Sequence, residues 1–143
     1  MLLEAEDLFC RLQDRFNLAW TLNLIGIVAM LSEPRDAAAA RRAFTEGLRL
    51  FVDSHDATGV PLVLANFSAL AQDTGDRQRA VRLAGAAHAL AQRAGFGLSA
   101  FVGPVMPVIT ESMIGEPDQD EWAEGLAMDT DRAVAYAVEA GAA

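Results

Sequence analysis

Two histidines, one cysteine and one serine in a glycine-flanked stretch are the side chains in these 143 residues that invite a search for chemistry. His55 falls in a turn and His88 near the end of a helical stretch. Neither has an acid or a second ligand at a spacing that would make a proton relay or a metal pair. Gly97-Leu98-Ser99-Ala100-Phe101 opens like a nucleophile elbow but lacks its second glycine, so Ser99 reads as a loop hydroxyl. Cys10 is alone, which excludes an internal disulfide and a cysteine metal cage, and it reads as a core residue. No phosphate loop and no His-Glu-x-x-His helix is present, and the absence of lysine removes Schiff-base chemistry. The expectation is a protein with no catalytic, cofactor-binding or metal residues, and not an enzyme.

Charge narrows the partners. Eleven arginines face twenty acids for a formal net charge of -9, the wrong sign for gripping a phosphate backbone, so direct nucleic-acid binding is not expected. Glu111, Glu116, Asp118, Asp120, Glu121 and Glu124 form an acidic run that lacks calcium-loop spacing and reads as a solvated face. Arg41, Arg42 and Arg49, and likewise Arg77, Arg79 and Arg82, lie off the apolar stripes of their helices and read as solubilising. Trp122 and Tyr136 read as anchors for C-terminal helices. The N-terminus carries acids where an export signal carries positive charge. The uncharged run from Phe16 to Ser32 includes Asn17 and Asn23 and is shorter than the roughly 20 apolar residues that span a bilayer. A cytoplasmic chain without a membrane segment is expected.

The elements that must position these residues are helices. Ala5, Leu8, Phe9, Leu12 and Phe16 keep helical spacing with Glu4, Glu6, Asp7 and Arg11 opposite. A chargeless helix over 17–31 ends before Pro34, and its all-round apolarity predicts cover on several faces. Asp36 caps the next, Ala37 to Val52, with its stripe at Ala40, Ala43, Phe44, Gly47, Leu48 and Phe51. A second chargeless helix starts near Thr58, because Pro61 is tolerable only in a first turn, and runs to Gln72. Asp76 caps another helix ending near Ala94-Gly95. Beyond it a loop, a short helix over 105–113, a helix over 118–126 with Trp122, and a last helix capped by Asp129 or Thr130 are expected.

The pattern repeats. A shift of forty positions lays Leu22, Leu24, Ala29, Asp36, Ala40 and Leu50 onto Leu62, Leu64, Ala69, Asp76, Ala80 and Leu90. Self-similarity at this period predicts stacked helix pairs rather than a closed bundle. Leu64, Phe67 and Ala71, then Gly75-Asp76, then Ala80, Ala84 and Ala87 resemble a tetratricopeptide repeat in residue detail. The resemblance implies a single all-α domain over 1–143: a tetratricopeptide-like solenoid of antiparallel pairs, with repeats at about 17–53 and 57–94, capped by helices at about 104–140. From Asp76 onward the chain also resembles the C-terminal region of bacterial LuxR-type and cyclase-associated ATPase regulators. The residues concerned are Arg82-Leu83-Ala84-Gly85-Ala86-Ala87-His88-Ala89-Leu90, Gly115-Glu116, Trp122-Ala123-Glu124-Gly125-Leu126 and Asp131-Arg132-Ala133-Val134-Ala135-Tyr136-Ala137. That resemblance implies regulation and contact, in a fragment-like relative without the ATPase or DNA-binding module.

In a stacked solenoid the first helix of each unit lines the concave side, which would place Leu22, Ile25, Ala29, Leu62, Ala65, Asn66 and Ala69 along an apolar groove. No arginine there suits a peptide carboxylate, so the expected occupant is a hydrophobic helix of a protein partner or a second copy of the chain. The alternative is a small-molecule effector on the concave surface, with Asn23, Asn66 and His55 as its polar contacts.

Overall fold

A computed structural model describes residues 2–11, 14–102 and 108–139. They form α1 (Leu2–Arg11), α2 (Arg15–Leu31), α3 (Ala37–Asp53), α4 (Gly59–Asp73), α5 (Arg77–Arg93), α6 (Leu98–Val102), α7 (Gln119–Leu126) and α8 (Thr130–Glu139), with short 3-10 turns at Glu111–Met113 and Glu116–Asp118. The described chain is all-helical, with no strand among its residues.

Caps set the cadence. The Asp36 and Asp76 carboxylates accept the backbone N–H of Ala39 and Arg79 at 2.9 and 3.1 Å, satisfying donors that a helix start leaves free. Asp56, midway between them, accepts from Thr58 and Gly59, both at 2.9 Å. The helices end alike: Asp56, Asp76 and Phe96 donate N–H groups back to the carbonyls of Phe51, Ala71 and Ala91, the longer bond of a Schellman turn. His55, Gly75 and Gly95 take the positive φ that such a turn requires. Helix and turn thus recur every twenty residues from 36 to 96, half the forty-residue repeat. The α2–α3 turn differs, holding a cis Glu33–Pro34 peptide.

Consecutive helices pack in adjacent pairs, α2 on α3 and α4 on α5, with α3 also against α4. Rings fill the joints: Phe44 lies 5.8 Å from Phe67, and Trp20 lies 5.0 Å from Phe51. Glycine admits those rings, since a Cβ on Gly26 would sit 2.3 Å from the Phe44 ring and one on Gly59 would sit 2.3 Å from Phe51. Every residue of α4 from Gly59 to Ala71 is buried. Residues beyond α5 supply much of that cover: α6 and α8 contact α4, and Leu98, Val108, Ala133 and Ala137 join its core.

Several expectations change. α2 starts two residues before the expected Asn17, capped by Asp14. The loop expected from Gly95 contains α6. Residues 103–107 of the helix expected over 105–113 lie outside the described set, and the described remainder is irregular at 108–110 and then a single 3-10 turn. Leu12 and the side chains of Phe9 and Cys10 also lie outside it. α2 is not covered on all its apolar sides, because α1 occupies only part of it: Leu24, Val28 and Leu31 are 47, 52 and 57% exposed.

Candidate functional site

The seven residues expected along one open groove separate into two groups. Leu22, Leu62, Ala65, Asn66 and Ala69 are buried, and Ile25 and Ala29 are half-buried. The physical reason is that α6, the Val108–Ile109 segment and α8 fold back over the second helix pair, so the groove floor on α4 is core. Asn66 and Asn23 do meet, but with each other: the Asn66 amide donates to the Asn23 carbonyl oxygen at 2.6 Å inside the stack. This leaves the Asn66 carbonyl oxygen buried without a partner among the described residues, a cost that a core position bears only when packing dictates it. Neither asparagine is among the residues that line the cleft beside His55.

Among the described residues the open surfaces include a cleft of about 350 Å³ bordered by Ala69, Ser99, Val108 and Met113, and two further features. The first is the bare stripe on α2. Leu24, Val28 and Leu31 stand at i, i+4 and i+7, on one side of a helix that carries no charge after Arg15. Phe16, at 53% exposed, extends it toward the N-terminus, and Leu3 and Leu8 of α1 are also exposed. The second is a cleft of about 510 Å³ where α3 ends, α4 begins, α5 ends and α8 begins. Phe51, Val60, Pro61 and Leu90 form its apolar part, and His55, Asp56, Arg93, Asp129 and Asp131 supply its ionisable groups.

Some of the remaining candidates serve structure. His88 hydrogen-bonds the Ile109 carbonyl at 2.9 Å and lies 5.4 Å from the Trp122 ring. Ser99 is exposed on α6. The acidic run is in part tied down: Asp118 binds Arg77 at 3.0 Å, and Glu121 and Glu124 both pair with Arg82. The hydrogen bond from Arg77 holds the Asp118 carboxyl below its ordinary range.

The arginines read as solubilising include three that are not. Arg79 is buried and donates to the carbonyls of Tyr136 and Ala137 at 3.1 and 2.6 Å. Arg41 donates to those of Ala137 and Val138, both at 3.2 Å, across the face of Phe67. Burial, and then the nearby charge of Arg79, push the Arg41 pKa down from its ordinary value. Arg82 lies over the Tyr136 ring and pairs with α7. A signal was present: Arg79 heads the i, i+4, i+7 row that continues through Leu83 and Ala86, both core. Tyr136 is half-buried and Trp122 buried, both at helix contacts.

Among the described residues no group of three or more His, Cys, Asp or Glu is placed to hold a metal ion, and no helix is long and apolar enough to cross a membrane. No protein-family model, curated protein or solved structure matches this chain.

Proposed function

We propose that the chain is a non-enzymatic interaction module of the helical-repeat type, and that it pairs with a second copy of itself through the bare face of α2. The observation that carries this reading is the exposure of Leu24, Val28 and Leu31 on a stretch without charge. Apolar strips of this kind are uncommon on monomers unless something binds there. Two chains of net charge -9 repel each other over most approaches, and α2 offers one where neither copy brings a carboxylate. The stripe is also self-complementary. An antiparallel pairing about a two-fold axis at Leu24 sets Val28 of each copy against Trp20 of the other, the reciprocal contact that a two-fold interface requires.

The tetratricopeptide-like solenoid reading draws support from the paired helices and the forty-residue shift, although that period is longer than the 34 residues of a typical tetratricopeptide repeat. A regulatory role, as in the C-terminal repeats of bacterial transcriptional regulators, draws on the residue resemblance alone. Light scattering over a dilution series tests the pairing. The expected result is a dimer for the native chain and a monomer of unchanged helicity for Val28→Glu; a native chain that stays monomeric at every concentration overturns it.

A second reading is favoured by a separate observation. The 510 Å³ cleft is of the size that holds a small organic molecule, with an apolar interior and few polar groups. It supports an effector-sensing role, sited at the helix ends rather than on the concave surface.

A further inference from the structure

We infer that the cleft between the ends of α3 and α5 and the start of α8 is a site for an organic cation with an apolar body, such as an arylalkyl or alkyl amine. The inference rests on the effector-sensing reading and names its ligand class.

The interior sets the body of the ligand. Phe51 and Val60 are core residues that present edges to the cleft, and Pro61, Leu90, Ala57 and Ala94 complete its apolar surface. About 510 Å³ accommodates one aromatic ring with a short chain. The rim sets the head. Three carboxylates, Asp56, Asp129 and Asp131, border the cleft against one arginine. Asp56 spends Oδ1 on the N–H groups of Thr58 and Gly59, and Asp129 spends Oδ1 on that of Arg132, so each caps a helix through one oxygen and keeps the other available. Asp131 is exposed and makes no hydrogen bond or ion pair with another described residue. Arg93 is partly engaged: two of its five N–H donors go to the carbonyls of Met128 and Leu126 at 3.2 and 3.5 Å, tying α5 to the segment before α8. An anionic ligand would find this one arginine set against three carboxylates. An ammonium group meets oxygen acceptors with capacity left over, and the net charge of the chain draws cations toward it. His55 adds an imidazole at the same rim, held in place by the left-handed turn that ends α3.

No residue of α2 lines the cleft, so self-association and ligand binding stand or fall separately. The test is a set of matched probes titrated into the full chain by calorimetry at low salt: 2-phenylethylamine, its neutral analogue 2-phenylethanol and the anion 3-phenylpropanoate. The amine is expected to bind about tenfold more tightly than the alcohol, the worth of one charge-assisted contact, and the anion not to bind. Asp131→Asn is expected to remove most of that advantage while leaving the alcohol unaffected. Ala57→Phe, which fills the cleft, is expected to abolish binding of both. Equal affinity for amine and alcohol, or a preference that survives Asp56→Asn, Asp129→Asn and Asp131→Asn together, overturns the amine assignment and leaves the effector cleft standing. Failure of all three probes to bind overturns both. Asn caps a helix about as well as Asp, so these three changes decide the matter even where the filled variant folds poorly.

Discussion

At the end of α3 a single residue departs from the pattern its two successors follow. His55 occupies the left-handed position with φ of 55°, where the equivalent turns use Gly75 and Gly95 at 85° and 90°. A side chain there crowds its own carbonyl at a cost of roughly 1–2 kcal/mol, partly offset because glycine gives up more freedom on folding. His55→Gly is therefore expected to raise stability by up to about 1 kcal/mol in urea unfolding; a loss instead would mean that the imidazole makes a stabilising contact at the cleft rim. The caps at Asp36 and Asp76 were legible in the sequence, because both precede apolar periodicity and a cap needs only local geometry, whereas Asp56 beside this turn was not read as one. The role of Arg79 was not legible. Its charge marked it for solvent, and only the arrival of the end of α8, from more than fifty positions away, turns a buried guanidinium into a capping group for free carbonyls.

The crossing of α5 and α7 shows the same limit for an element. A helix over 118–126 could be read from the sequence, but its partner could not, since Gly85 inside a helix signals only weakened helicity. The fold supplies the reason. A Cβ on Gly85 would lie 2.7 Å from the Trp122 carbonyl oxygen, and one on Gly125 would lie 2.1 Å from that of Arg82. Two glycines thus face each other across the contact and let the backbones meet. Flanking ties fix the crossing: Arg82 pairs with Glu121 and Glu124, and Arg77 with Asp118. Because the obstructing atoms are backbone, Gly125→Ala cannot be absorbed by a rotamer change, and a loss of about 2–3 kcal/mol is expected. Gly97→Ala, with nothing within 4 Å of its added methyl, should stay within about 0.5 kcal/mol of the native chain. Urea midpoints of the two variants check this; equal stabilities would mean that α7 moves off α5 at little cost.

Across the whole molecule, the two helix pairs look alike in sequence and end in different environments, because the C-terminal half of the chain folds back mainly over the second of them. Both chargeless helices were legible as apolar on most sides; which one would be closed over was not, as that depends on where distant segments dock. α8 is part of that cover. It buries Ala133 and Ala137 and packs Val134, Tyr136 and Val138 partly buried against the core, and its last turn receives four hydrogen bonds, two each from Arg41 and Arg79. A charged donor contributes about 1.5–3 kcal/mol per hydrogen bond, comparable with the burial of a medium-sized apolar side chain, so attachment of α8 rests on its carboxyl end as well as on its packing. Arg79→Met keeps most of the side-chain volume and removes two of those bonds. It also removes a buried charge that has no carboxylate partner among the described residues, which offsets part of the loss in global stability. The effect is therefore expected to be local. Hydrogen exchange in residues 130–139 should quicken by roughly 10- to 100-fold, while α4 and α5 keep their protection. Unchanged exchange in α8 would show that packing alone holds it. Faster exchange through α4 as well would show that α8 and the second helix pair open as one unit, and the cleft at the start of α8 would then open with them.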